Sequence, residues 1–410
     1  LADRPEPALA VDGAALPPSR RPHILLLVAM AAVNAVAINI YMPSMPRLAE
    51  AFDTTYAKVQ LTLSLYLLAT GLAQVIVGPL SDRYGRRPVA IGGFALFTVG
   101  SALALVAPSI EVMIAARILQ GAGGCTGMAL SRAIVRDIYD RDRAASMIGY
   151  VTMGMSVAPM VAPLIGGVLQ EVADWWASFA VLVVFGAGIL VATILGLHET
   201  NPNVGRTITA RELVAQWGAL GRSRLFWGYV CVSTFASAVY FAFLGGAPYV
   251  VSVLMHVSPA MYGVYFLTVS GGYLVGNFLS GRYAARYGVA LFITGGNLLQ
   301  LLSVLAMALL FAAGIMHPMA LFGPMVGIAV ANGITLPSAI AGAVSVRPDL
   351  AGAASGLAGS FQMGVGAGAS ALAGALLITV WTGTPFAMVV IMAVAAVLSL
   401  LAGIAVRRAG

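Results

Sequence analysis

The feature that most constrains this chain is a series of apolar runs, each about as long as a bilayer core is thick. A helix needs about 20 predominantly apolar residues to cross that core. Such runs lie near 23–45, 58–80, 88–107, 112–134, 144–169 and 175–197, and again near 225–250, 260–281, 288–314, 318–345, 351–378 and 384–406. Only 9% of the 410 residues are charged, against about 25% in a soluble domain, so most of the surface cannot face water. The expected fold is an all-α integral membrane protein of twelve spans in two pseudo-symmetric six-helix bundles. Residues 1–21 read as a flexible cytoplasmic tail, 22–197 and 225–408 as the bundles, and 198–224 as a cytoplasmic linker. In the linker, Thr207 to Leu213 suggest a short amphipathic helix, with a plain solvated linker as the other reading. No short apolar core with a cleavage site precedes the first run, so a cleaved signal peptide is not expected; Leu1 leaves open whether a natural start precedes it.

The net charge of +7 does not point to nucleic acid, because the arginines form no continuous patch. They sit in short loops: Arg20 and Arg21; Arg83, Arg86 and Arg87; Arg132, Arg136, Arg141 and Arg143; Arg206, Arg211, Arg222 and Arg224; Arg282 and Arg286; Arg347; Arg407 and Arg408. All fall on one side of the proposed spans, and the positive-inside rule places both termini in the cytoplasm. Cys125 and Cys231 lie in apolar runs and read as packing residues. His23, His198, His256 and His317 are isolated. Neither set has metal-ligand spacing, so no metal or cofactor is expected. No nucleophile triad or phosphate loop appears, which argues against an enzyme.

Four stretches carry more information. The first, Gly78-Pro79-Leu80-Ser81-Asp82-Arg83-Tyr84-Gly85-Arg86-Arg87, reads as a hinge after span 2 with an acid among arginines. A partial copy, Ser280-Gly281-Arg282-Tyr283, follows span 8 without the acid. The second is Arg117-Ile118-Leu119-Gln120-Gly121 in span 4. A buried Arg is costly unless it faces a cavity or a partner, so Arg117 is expected to line a cavity. The third is span 5, with Gly154, Pro159, Pro163, Gly166 and Gly167, where small residues let helices approach and proline bends the chain. The fourth joins Asn39-Ile40-Tyr41-Met42-Pro43 at the end of span 1, Arg132 to Tyr139, and Ala351 to Phe361.

The first stretch resembles the loop 2–3 signature of the major facilitator superfamily. The second resembles its span 4 motif, associated with proton transfer in proton-coupled members. The third resembles, with a relaxed fit, the antiporter motif of its exporters. The fourth set resembles the Bcr/CflA group of drug–proton antiporters, which includes bicyclomycin, sulfonamide and phenicol exporters, and this likeness runs from span 1 to span 12. The resemblance implies a monomeric multidrug efflux transporter of the bacterial inner membrane, working by alternating access, with small amphipathic drugs, protons and lipid as partners. It makes Gly78, Asp82, Arg83, Gly85, Arg86, Arg87 and Asp137 a conformational latch, Asp82 meeting Arg86 and, through it, Asp137. Asn39, Arg117 and Gln120 would serve proton coupling. The substrate site would draw on Asn34, Asn39, Tyr41, Tyr66 and Arg117 from the first half. The second half would add Phe235, Tyr240, Phe243, Tyr265, Phe266, Asn332, Phe361 and Gln362.

One departure matters. The span 1 motif of that group usually carries Asp where this chain has Asn39, and Asn cannot titrate. Either the chain is an engineered variant that mimics the protonated acid, or it is a natural member that couples differently or not at all. An uncoupled facilitator and a transport-dead sensor on the same fold are therefore alternative functions.

Overall fold

A computed structural model describes residues 22–201, 204–205, 210–380 and 382–409. The expected tail, Arg206 and Thr207 to Thr209 lie outside the described residues. The helices, in order, are α1 (Ile24–Asn39), α2 (Met45–Ala51), α3 (Tyr56–Tyr84), α4 (Arg86–Leu105), α5 (Ile110–Ile138), α6 (Arg141–Val172) and α7 (Trp176–Gly196). They continue with α8 (Ala210–Gly221), α9 (Arg224–Tyr249), α10 (Pro259–Tyr287), α11 (Val289–Ala312), α12 (Pro318–Ser345), α13 (Ala351–Thr379) and α14 (Phe386–Ala409). Ten segments are long and apolar enough to cross a membrane, α1 and α2 counting as one. The remaining two spans are α5 and α10, each 29 residues long; their apolar content is diluted by Arg117, Gln120 and glycines in one, and by tyrosines, serines and glycines in the other. This gives six spans per bundle among the described residues, with α8 between them.

Local chemistry sets the boundaries. Side-chain oxygens of Thr55, Ser109, Ser223 and Ser258 accept from backbone amides in the first turns of α3, α5, α9 and α10, satisfying donors that a helix start leaves free. The first span breaks after Asn39, where Pro43 and Pro46 remove backbone donors and a 3-10 turn at Met42–Ser44 intervenes. Gly78 to Tyr84 are helical, so the expected ten-residue hinge contracts to the single residue Gly85, at φ 101°. The second bundle repeats the device with Gly288, at φ 88°, between α10 and α11. Likewise Arg132 and Arg136 lie within the last two turns of α5, not in a loop.

The bundles touch along α3–α13 and α6–α10 over the half of the molecule away from the arginine-bearing ends. There Tyr56 Oη donates to the Gly245 carbonyl at 3.2 Å, Gln60 Nε2 to Ser370 Oγ at 2.5 Å, and the Ala260 amide to a Glu171 carboxylate oxygen at 3.0 Å. A Cβ on Gly167 would run into the carbonyl oxygen of Pro259, and one on Gly263 would lie 2.7 Å from that of Pro163. The α6–α10 seam is thus backbone against backbone. The α3–α13 contact runs past Gly71, whose carbonyl accepts from Ser360 Oγ at 2.7 Å, to Gln74, against which Gly359 packs. Beyond this level a cavity of about 350 Å³ opens at the arginine-rich end between α3, α5, α8 and α13.

Candidate functional site

Arg117 projects from α5 into the interior of the first bundle and is fully buried. Its guanidinium carbon sits 4.1 Å from the ring centres of both Tyr41 and Tyr66. Nη1 donates to the Ala37 carbonyl at 3.2 Å and to Gln120 Oε1, while Nε and Nη2 have no hydrogen-bond partner. Gln120 passes the chain on, donating to Ser101 Oγ at 2.7 Å. Among the described residues no carboxylate pairs with this charge; two aromatic faces and two oxygens compensate it. A desolvated cation over an aromatic face gains about 2 kcal/mol or more. Tyr66 also donates to Asn34 Oδ1 at 2.6 Å, and Tyr41 lies 3.4 Å from Thr62 Oγ1. Asn34, Tyr41, Tyr66, Arg117 and Gln120 therefore form one continuous polar island.

Asn39 stands at the edge of that island, between the bundles, and is 3% exposed. Its Nδ2 donates to the Ala35 carbonyl at 2.8 Å, and its Oδ1 accepts from Tyr240 Oη of α9 at 3.2 Å. This single bond ties the first span to the first helix of the second bundle, two residues past the carbonyl that Arg117 holds. The break in the helix just beyond Asn39 leaves this side chain as the last on the regular part of α1.

The remaining substrate candidates scatter. Gln362 donates to Ser237 Oγ, linking α13 to α9. Tyr265 is half-buried and stacks on Phe322 with centroids 5.2 Å apart, and Phe235 is half-buried on α9. Four candidates need correction as cavity-lining groups. Phe243 and Phe266 are sealed in an aromatic cluster with Tyr262 and Phe322. Asn332 is buried against α11, accepting from Gln300 Nε2 at 2.9 Å. Phe361 is 42% exposed and packs edge-on against Trp227 at 4.7 Å, outside the lining of the arginine-rich cavity.

At the arginine-rich end, Arg86 is the hub. Its Nη1 lies 2.6 Å from Asp82 Oδ1, and its Nε lies 2.9 Å from Asp137 Oδ2. Nη1 also donates to Ser81 Oγ at 2.6 Å. Arg87 reaches the Ile194 carbonyl at 2.9 Å, and the Arg83 guanidinium lies 5.0 Å from the Tyr84 ring centre. Gly78 lines the cavity. The cluster joins α3, α4 and α5, all in the first bundle, so in this conformation it bridges no gap between bundles. On α6, Gly154 packs on Val28 of α1 and Gly166 on the Ile40 carbonyl, whereas Gly167 faces α10; Pro159 and Pro163 lie within the helix.

Sequence reasoning missed Glu199. Its carboxylate accepts from the amides of Arg86 and Arg87 at 2.9 and 3.1 Å, and from those of Thr200 and Asn201 at 3.1 and 2.9 Å. It thereby caps α4 from the linker, at a helix start where negative charge is favoured. Asn201 Nδ2 donates to the Asp82 carbonyl at 3.1 Å, and the Gly205 amide to that of Arg83 at 3.2 Å. A Cβ on Gly85 would collide with the Glu199 carboxylate, so both the φ value and the space there require glycine. Glu199 is 113 residues from Arg86, and no local pattern announces the contact.

Comparison with known proteins gives a consistent outcome. The profile of the family described as Major Facilitator Superfamily matches residues 27–258. The chain is 30% identical over 355 residues to "Multidrug resistance protein D" of Escherichia coli, covering 86% of this chain and 88% of that one. It is 30% identical over 331 residues to "Chloramphenicol resistance protein" of Pseudomonas aeruginosa, covering 78% and 76%. Among solved structures, a bacterial homolog of the human lysosomal transporter Spinster, in an inward-facing and occupied conformation, superposes with a TM-score of 0.69 at 16% identity over 94% of this chain and 96% of that one.

Proposed function

This chain belongs to the major facilitator superfamily, and from that premise we propose that it exports small amphipathic drugs across the bacterial inner membrane by alternating access, as a monomer, with proton coupling weakened at Asn39. Several of its relatives are named as drug-resistance proteins. The observation that carries the reading is the Asn39–Tyr240 bond across the bundles, beside a buried Arg117 that lacks a carboxylate. In the Bcr/CflA-type exporters this chain resembles, the Asn39 position carries an acid, which binds a proton in one state and releases it in another. Here the amide holds the same place permanently uncharged. With the arginine-rich end in the cytoplasm, as the positive-inside rule has it, the structure is open inward and shut outward, ready to load drug from the cell. The Asp82–Arg86–Asp137 cluster would then engage the second bundle when the inward mouth closes.

The test is flux of chloramphenicol in proteoliposomes with and without an imposed pH gradient, for this chain and for Asn39→Asp. The expected outcome is downhill flux in both, with gradient-driven accumulation only in Asn39→Asp. Equal accumulation in both would remove Asn39 from coupling, and no flux in either would remove the exporter reading in favour of a sensor. Downhill flux in both with no accumulation in either would favour the facilitator.

A further inference from the structure

The cavity at the arginine-rich end is not electrically neutral to an incoming ligand. Arg132 and Arg136 lie one turn apart on α5, are exposed, and both line the cavity. Neither has an ion-pair or hydrogen-bond partner among the described residues, and the two guanidinium groups repel each other. Two carboxylates also line the cavity, Asp82 and Asp349. Asp349 pairs with Arg347 at 2.7 Å, and Asp82 shares Arg86 with Asp137 at 2.6 and 2.9 Å, so that cluster keeps one carboxylate in excess. Arg132 and Arg136 outweigh it, and the balance of charge at the mouth is positive by one.

The same sign persists further in. Among the described residues every Asp and Glu lies in a loop or within two turns of a helix end. Inside the spans the charged side chain is Arg117, two turns from the start of α5 on the far side of the molecule from the cavity, and its Nε and Nη2 are unsatisfied. A lipophilic cation moving along the seam between the bundles would find no carboxylate and would approach a buried like charge, at a cost amplified by the low dielectric. An organic anion would be drawn in by the arginine pair, and past the ion-paired Asp82 and Asp349 at the mouth it would meet no carboxylate along the seam. Guanidinium forks also suit planar oxyanions such as carboxylates and sulfonates.

We infer that the transported substrates are amphipathic organic anions, and that Arg132 and Arg136 at the mouth select them over cations. The inference rests on the exporter reading above and sharpens it. A cavity of about 350 Å³ is of a size that takes a small aromatic anion.

The experiment compares fluorescein with rhodamine 123, which share a xanthene skeleton and carry opposite charge, in proteoliposomes of neutral phosphatidylcholine. Fluorescein is expected to be taken up roughly tenfold faster than rhodamine 123, as for a mouth that steers by charge. Arg132→Gln with Arg136→Gln should lower the ratio by roughly tenfold. The double lysine variant should keep it within about threefold, which separates charge from folding. Rhodamine 123 moving as fast as fluorescein in the unmodified chain, or a ratio unmoved by the double glutamine variant, overturns the inference. Phosphatidylglycerol shifts both dyes by surface potential in every vesicle, so its effect is read as the ratio in the unmodified chain divided by that in the double glutamine variant, which should stay unchanged. Loss of that difference on adding phosphatidylglycerol would mean that the arginines hold lipid phosphate, which also overturns the inference. Chloramphenicol flux runs in parallel: its presence without fluorescein uptake sinks only this inference, and the absence of flux for chloramphenicol and both dyes sinks the exporter reading with it.

Discussion

Substituting alanine at two adjacent glycines of α6 should have different consequences. Gly167 faces the Pro259 carbonyl of α10, in the other bundle; Gly166 faces the Ile40 carbonyl, in its own. In both cases the obstacle is backbone, which cannot swing aside. Overpacking of this kind costs roughly 1–3 kcal/mol. For Gly166→Ala that cost is present in every conformation, because α1 and α6 travel together, so it should appear as lost thermal stability. For Gly167→Ala the cost exists only while the seam with α10 is shut. A penalty of about 2 kcal/mol on one of two states shifts their ratio by about thirtyfold. The readout is maleimide labelling of Ser370→Cys in a background lacking Cys125 and Cys231. Ser370 is fully buried in the shut α3–α13 seam, so its labelling rate follows the population in which that seam is open. Gly167→Ala should raise the rate by roughly thirtyfold and Gly166→Ala should leave it within a factor of about two. Equal rates in the two variants, with equal losses of melting temperature, would refute the assignment of Gly167 to a state-dependent contact.

Arg117→Lys should lower stability by roughly 1–3 kcal/mol, since a compact ammonium cannot lie flat between Tyr41 and Tyr66; an unchanged thermal melt would show that the rings are not its counter-charge. Glu199→Gln replaces one of the two oxygens that serve four amides, and should cost roughly 1–3 kcal/mol and speed hydrogen exchange at Arg86 and Arg87. Exchange no faster than in the parent would place the α4 cap elsewhere. Asp82→Asn leaves Arg86 to Asp137 alone, and should slow chloramphenicol flux while size-exclusion behaviour stays the same. Unchanged flux would count against a latch.

Local sequence shows what local physics dictates. The spans follow from runs of about 20 apolar residues, and Arg117 stands out because a charge in the middle of such a run needs compensation. Asp82 and Arg86 are i, i+4 on either side of a glycine, so their meeting was legible. The counter-charge of Arg117 was not: Tyr41 and Tyr66 look like any other aromatic residues in a greasy helix. For the same reason Phe243 and Phe266 could not be told from cavity walls, since burial in a core and burial around a drug favour the same side chains. Arg132 and Arg136 read as loop residues because helix ends are poorly marked where a spanning helix runs on into water. Contacts such as Asn39–Tyr240 and Glu199–Arg86 depend on how distant helices are arranged, which no window of neighbouring residues encodes.

The linker has a mechanical consequence. Glu199, Asn201 and Gly205 fasten the linker to the α3–α4 turn. Leu220 of α8 is fastened to the other bundle, buried with Phe226, Val230 and Ala354. Gly205 and Ala210 are five residue steps apart, which span at most about 18 Å at full extension. The linker therefore acts as a check-strap on a door: its length limits how far the α3–α4 turn can swing from the start of α8 when the arginine-rich mouth widens.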